Sequence, residues 1–208
     1  MARVKGVFKP SDYPGTPDAA TKKDLDALFA HMFPGDAKPE MSAPHYGYAL
    51  FAQNPALALN IAKLADYIVR EMPWSQRRDL REIVVQALNL YYKCDFSFLA
   101  HLPIAEGTGI SLAQQAAIPY WRTTNVFDDE QRLLIEYSLA VCSGDVPEEL
   151  FARIVKQYGE KGAVECTTTI GWWAFWAMFL NAIRPEFTSE RAQPLPGDAR
   201  ELPGNRKG

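Results

Sequence analysis

The chain is poor in the residues that would give it away most quickly. Three cysteines among 208 residues are odd in number and widely spaced, so they do not form a secreted disulfide framework. Only three histidines are present, and Cys94 and His101 lack the further paired ligands that a closed zinc site needs, which argues against a metal centre. A glycine-rich phosphate loop and a G-x-S-x-G elbow are both missing, so nucleotide use and serine hydrolysis have no support. The longest apolar run, Ile170 to Ile183 interrupted by Asn181, is shorter than the roughly 20 residues that span a bilayer. Basic clusters with interleaved aromatics are absent and the formal charge is −3, so neither nucleic acid nor an anionic membrane is an expected partner. The N-terminal stretch MARVKGVFKPSDYPG has basic residues but no apolar segment behind them, which does not make a secretory signal. A cytoplasmic protein is the expectation.

What is present is ordinary globular composition, 48 % hydrophobic and 23 % charged, in a chain long enough for one substantial core. Pro10, Pro14, Gly15 and Pro17 suit an N-terminal arm over residues 1–18, wrapped over the surface or over a neighbour. A helical domain is expected over 19–186, followed by a proline- and glycine-bearing tail over 187–208 that cannot continue a helix.

Helix signals fill the middle. Thr16-Pro17 opens a segment through Phe33 and Asn54-Pro55 another through Arg70, each pairing a capping residue with a proline at the first helical position. Ser75 opens a helix to about Tyr92, with Leu80, Ile83, Val84, Ala87, Leu88 and Tyr91 on one face. Another runs from about Cys94 to Glu106 and stops at Gly107 and Gly109. Ser111 with Gln114 and Asp128 with Gln131 make capping boxes. The last helices run from about Pro147 to Tyr158 and from Gly162 to Ile183. No stretch alternates long enough to be a strand, so the fold class is all-α. The helix from Gly162 is apolar on every side, which buries it in the core or in a subunit interface.

One segment concentrates chemistry. Glu82 lies on one helix, and Cys94, Ser97 and His101 lie on the next. Positions three or four apart are helix neighbours, so Cys94 can meet Ser97 and Ser97 can meet His101. Cys94 and His101 share a face two turns, roughly 10 Å, apart, so contact between them would need a group or water in between. A cysteine at a helix N-terminus gains thiolate stabilisation from free amides and the dipole. A glutamate folded back from the preceding helix can orient or charge the imidazole, which makes an acid–base relay. Residue types alone fit a core cysteine and a core histidine as well.

The spacing of Glu82, Cys94 and His101 resembles the E-x11-C-x2-C-x3-H pattern of the carboxymuconolactone decarboxylase and alkylhydroperoxidase D-like superfamily. The following L-P-I-A-E-G-T-G-I-S is similar to the family's stretch after its histidine, and the likeness extends over roughly residues 45 to 186. It implies an alkylhydroperoxidase D-like all-α domain, a homotrimer or homohexamer, and active sites close to subunit contacts.

Ser97 stands where the peroxidase branch of that family has its second cysteine, and a serine cannot take part in dithiol turnover. The resemblance therefore implies the decarboxylase branch, whose reaction on a small unsaturated or lactone carboxylic acid needs no cofactor. His101 would then be the general acid or base and Glu82 its tuner. Ser97 would hold a substrate oxygen or relay a proton, and Cys94 would line the pocket. An imidazole, with an unperturbed value near 6.5, suits that task. The alternatives are a thiol peroxidase using Cys94, with or without a distant resolving cysteine, and a non-catalytic binding or assembly protein.

Four further residues are substrate-binding candidates. His45, ahead of the Asn54-Pro55 helix, is a second proton-transfer candidate or a partly exposed loop histidine. Of Tyr91 and Tyr92, helical phase puts one on the core face and frees the other for a pocket. Arg122 can hold a carboxylate bidentately or sit solvated in its loop.

Overall fold

Every regular element among residues 3–185, which the computed structural model describes, is helical. The all-α expectation holds, and the tail expected over 187–208 lies outside the described residues. The chain forms two compact units, one holding residues up to Glu71 with those from Ile183, the other running from Met72 to Ala182.

The first unit packs α1 (Ala19–Met32) against α3 (Pro55–Asp66), with the short α2 (Tyr46–Phe51) between them in sequence. Leu25, Leu28 and Phe29 of α1 and Ala58, Ile61, Ala62 and Ala65 of α3 are buried at helical spacing, one apolar stripe from each. Asn54 caps α3 as expected, its side chain accepting from the Leu57 amide, with Pro55 at the first position. The start of α1 differs: Asp18, not Thr16, is the cap, accepting from the Thr21 amide at 2.7 Å. Its carboxyl is held below the ordinary range by that amide bond. A π turn, Tyr67–Glu71, follows α3. The arm lies against its own unit: Val7 is buried and donates its amide to Ala49, and Met41 donates to the Phe8 carbonyl.

The second unit is built round α4 (Arg78–Tyr91), which packs on α5 (Asp95–Gly107) and α7 (Asp129–Ser143). Residues Leu80 through Leu90 of α4 are all buried, four polar ones included: Arg81, Glu82, Gln86 and Asn89. Ser75 does not open this helix. It sits in a 3-10 turn, Pro73–Gln76, its hydroxyl 3.1 Å from that of Thr169, so the side chain is engaged with another helix instead of capping its own. Both capping boxes form, Ser111–Gln114 ahead of α6 (Leu112–Ala117) and Asp128–Gln131 ahead of α7. Gly144, at φ +78°, ends α7 in the left-handed conformation that glycine adopts without steric cost.

The last element, α8 (Glu148–Ile183), is broken at Gly159, whose φ of 71° and ψ of 170° are not helical, so the two expected helices are separate rods. In the second rod Trp172, Trp173, Ala174, Ala177 and Leu180 are buried within the chain, whereas Val164 and Met178 are 65 % and 51 % exposed. No helix among the described residues is long and apolar enough to cross a membrane.

Candidate active site

Helix α4 is amphipathic in an unusual sense, since part of its polar face is turned inward. Glu82, 1 % exposed, places its Oε2 2.7 Å from Nδ1 of His101 on α5. The imidazole is partly open at 19 %. Arg81 lies next to Glu82 with its Nε 3.5 Å from Oε1, at ion-pair distance, and its side chain is 6 % exposed. Its Nη1 donates to the Ser75 carbonyl at 3.2 Å, which fixes the fork between turn and carboxylate. Burial lowers the guanidinium's proton affinity and Glu82 works against that effect. Trp173 of α8 closes the group: its ring meets the His101 ring edge-on at 6.3 Å and lies 5.8 Å from the Arg81 guanidinium carbon.

The orientation of α5 is set by a buried ladder of amides. Gln86 Nε2 donates to Gln115 Oε1 at 2.6 Å and to the Phe98 carbonyl at 3.2 Å. Asn89 Nδ2 donates to Gln86 Oε1, and Gln115 Nε2 donates to the Leu102 and Ile110 carbonyls. Pro103 interrupts α5 and removes one amide from its ladder. The neighbouring side-chain bonds to Phe98 and Leu102 hold the helix on either side of His101.

Cys94 caps α5 with its backbone and is fully buried. Its thiol is pushed up to about 11, because burial outweighs the Ser97 amide that favours the thiolate, and Asp95 adds to the rise. Ser97 is buried as well. The structure thus joins Cys94 to Ser97 and Glu82 to His101. Among the described residues no hydrogen bond links Ser97 or Cys94 to His101.

The other sequence candidates lie elsewhere. His45 ends a 3-10 turn, Ala43–His45, of the first unit, its Nδ1 3.2 Å from both the amide and the hydroxyl of Ser42 and its ring against Phe33. Burial lowers its proton affinity. Tyr91 packs against the core cluster that includes Ile83 and Phe98, its ring 5.0 Å from that of Tyr92. Tyr92 is hydrogen-bonded to Cys142; burial first and that bond second raise the phenol, whereas burial pushes the Cys142 thiol up to about 11 against the bond, which favours the thiolate. Arg122 is exposed with its guanidinium 4.2 Å from the Trp121 ring centre. His31, assigned no role, pairs with Asp66 at 2.9 Å. Among the described residues no three His, Cys, Asp or Glu side chains gather as a metal site would require.

Sequence reasoning missed Arg81, Trp173 and the amide ladder. The signal that could have found them is polar residues at 81, 82, 86 and 89 on the core-facing phases of an otherwise apolar helix.

A cysteine-to-alanine variant of the debrominase Bmp8, crystallised with 2,3,4-tribromopyrrole, matches with a TM-score of 0.62 over 96 % of either chain, at 16 % identity. The fold is alkylhydroperoxidase D-like. No protein-family model matches the chain, and no curated protein matches it by sequence. At 16 % identity the likeness establishes the fold, and the chemistry rests on the residues themselves.

Proposed function

We propose that the chain is a cofactor-free lyase of the carboxymuconolactone decarboxylase type, acting on a small unsaturated or lactone carboxylic acid with His101 as its proton-transfer group. The observation that carries this reading is the 2.7 Å Glu82–His101 pair, a buried carboxylate behind a partly open imidazole. Nδ1 faces Glu82, so Nε2 is the nitrogen left for a substrate. In the reaction the bond to the substrate carboxylate breaks and carbon dioxide leaves. The electron pair enters the conjugated system. The imidazolium that forms when Nε2 takes the proton of the substrate's carboxylic acid then delivers that proton to carbon and returns to the neutral ring. Such proton transfer contributes typically about 10²–10⁴-fold.

Supporting evidence against thiol peroxidase chemistry is the state of Cys94: fully buried, with its thiol pushed up to about 11, it is protonated at neutral pH. Nucleophilic thiols have the opposite shift. Bmp8 binds a bromopyrrole, which adds halogenated unsaturated rings to the substrates worth testing. The reading also includes assembly with further copies of this chain, supported by the exposed apolar side chains of Val164 and Met178 along α8.

The test is a panel of small unsaturated acids, carboxylated lactones and halogenated heteroaromatic acids, scored for carbon dioxide release and halide release, beside a peroxide-consumption assay with dithiothreitol. Release of carbon dioxide that is lost in His101→Asn supports the proposal. Peroxide turnover that needs Cys94 refutes it.

A further inference from the structure

A buried carboxylate flanked by two nitrogen bases poses a question of where the protons sit. Arg81, Glu82 and His101 form one row: guanidinium, carboxylate, imidazole, with separations of 3.5 and 2.7 Å. Arg81 and Glu82 are 6 % and 1 % exposed, so neither charge is screened by water, and such a cluster is stable only when its charges balance. One guanidinium already balances one carboxylate. The ring then has no electrostatic reason to carry a second positive charge.

We propose that Arg81 is a positioning residue that fixes the proton arrangement of the Glu82–His101 pair, keeping Glu82 an anion that accepts from Nδ1–H and leaving the ring neutral with Nε2 as an open base. Without the guanidinium the buried carboxylate would be unbalanced. It would recruit one proton from solvent, held either as the carboxylic acid donating to Nδ1 or as imidazolium. In the first arrangement the ring hydrogen moves to Nε2, and in the second both nitrogens carry one. Either way Nε2 is blocked, and the cluster is again neutral. The guanidinium therefore determines whether the outward nitrogen can take a proton from a reactant.

The geometry holds Arg81 to this task from three sides. The Ser75 carbonyl accepts from Nη1, Trp173 faces the guanidinium, and the Ser75 hydroxyl is itself held by Thr169 of α8. Two further charged groups among the described residues lie near the row: Arg78 on α4, which is exposed and acts weakly against Arg81, and Glu165 on α8, which accepts from the Trp74 amide beside Ser75. On α5 the neighbouring titratable groups are Cys94, buried and protonated, and Asp95, exposed at its first turn.

This inference rests on His101 being the proton-transfer group, but its readout needs no substrate. Long-range 1H–15N correlation spectra at neutral pH distinguish a protonated from an unprotonated ring nitrogen. With three histidines in the chain, His101 is assigned by comparison with His101→Asn. The expected result is an unprotonated Nε2 in the wild type, a protonated Nε2 in Arg81→Met, and an unprotonated Nε2 in Arg81→Lys, which restores the charge. A wild-type ring that already carries hydrogen on Nε2 would overturn the proposal, as would a folded Arg81→Met that leaves it free. Failure of the substrate panel with the expected spectra would count against the decarboxylase reading alone.

Discussion

Replacing Glu82 with Gln keeps the shape of the side chain and removes its charge, so the consequence can be worked from the contacts. The charge-assisted bond to His101 is lost or weakened, a term of about 1.5–3 kcal/mol. Arg81 is left as a buried cation, its side chain 6 % exposed, without the Glu82 charge that faces it. Breaking a buried pair by removing one partner costs about 3–5 kcal/mol in total, a large part of the 5–15 kcal/mol typical of a fold. All five tryptophans, from Trp74 to Trp176, lie in the second unit, so a urea melt followed by tryptophan fluorescence reports that unit selectively. Glu82→Gln should lower its midpoint by an amount corresponding to about 3 kcal/mol or more. The double variant Arg81→Met Glu82→Gln removes both charges and should cost less than the sum of the single variants by at least about 1.5 kcal/mol. Single effects that add within about 0.5 kcal/mol would show that the two charges do not balance each other, and the reasoning would fail.

Two further outcomes follow from the same contacts. Gln86→Leu strips partners from Gln115 and Asn89 in the buried ladder and should cost about 2–5 kcal/mol in the same melt, with His101 mispositioned as a result. The raised thiols predict an alkaline limit. Cys94 and Cys142 move from 9.0 unfolded to about 11 folded, so the native state binds the extra protons between those values. Their stabilisation is present below pH 9 and is lost as pH rises through 11, at up to about 1.4 kcal/mol per unit for each thiol. Melts at pH 8 and pH 10.5 check the sign, and native Cys94 should resist iodoacetamide at pH 8.

The Glu82–His101 pair was legible because the two residues lie on consecutive helices, where a glutamate folded back can reach the imidazole, and because their spacing resembles the family motif. Helix capping was legible for the same local reason at Asn54, Ser111 and Asp128. Ser75 and Thr16 misled, since a capping residue type does not reveal that its hydroxyl bonds a distant helix or that a carboxylate two residues on caps better. Arg81 was hidden by its chemistry: a charged residue on a helix is solvated by default, and only its contacts with Ser75 and Trp173 show it turned inward. The short helix α2 was missed because six residues carry too little periodicity to read. The thiolate expected of Cys94 at a helix start is reversed by complete burial, a quantity set by α4 and its neighbours and not by local sequence.

The most direct test of the central claim is kcat/KM on whichever panel acid the wild type decarboxylates, compared between His101→Asn and Cys94→Ala. The account predicts a loss of about 10²–10⁴-fold for His101→Asn and retention within about tenfold for Cys94→Ala, whose thiol is protonated and fully buried. Loss of activity with Cys94→Ala while His101→Asn remains active would contradict it and make the reaction thiol-dependent.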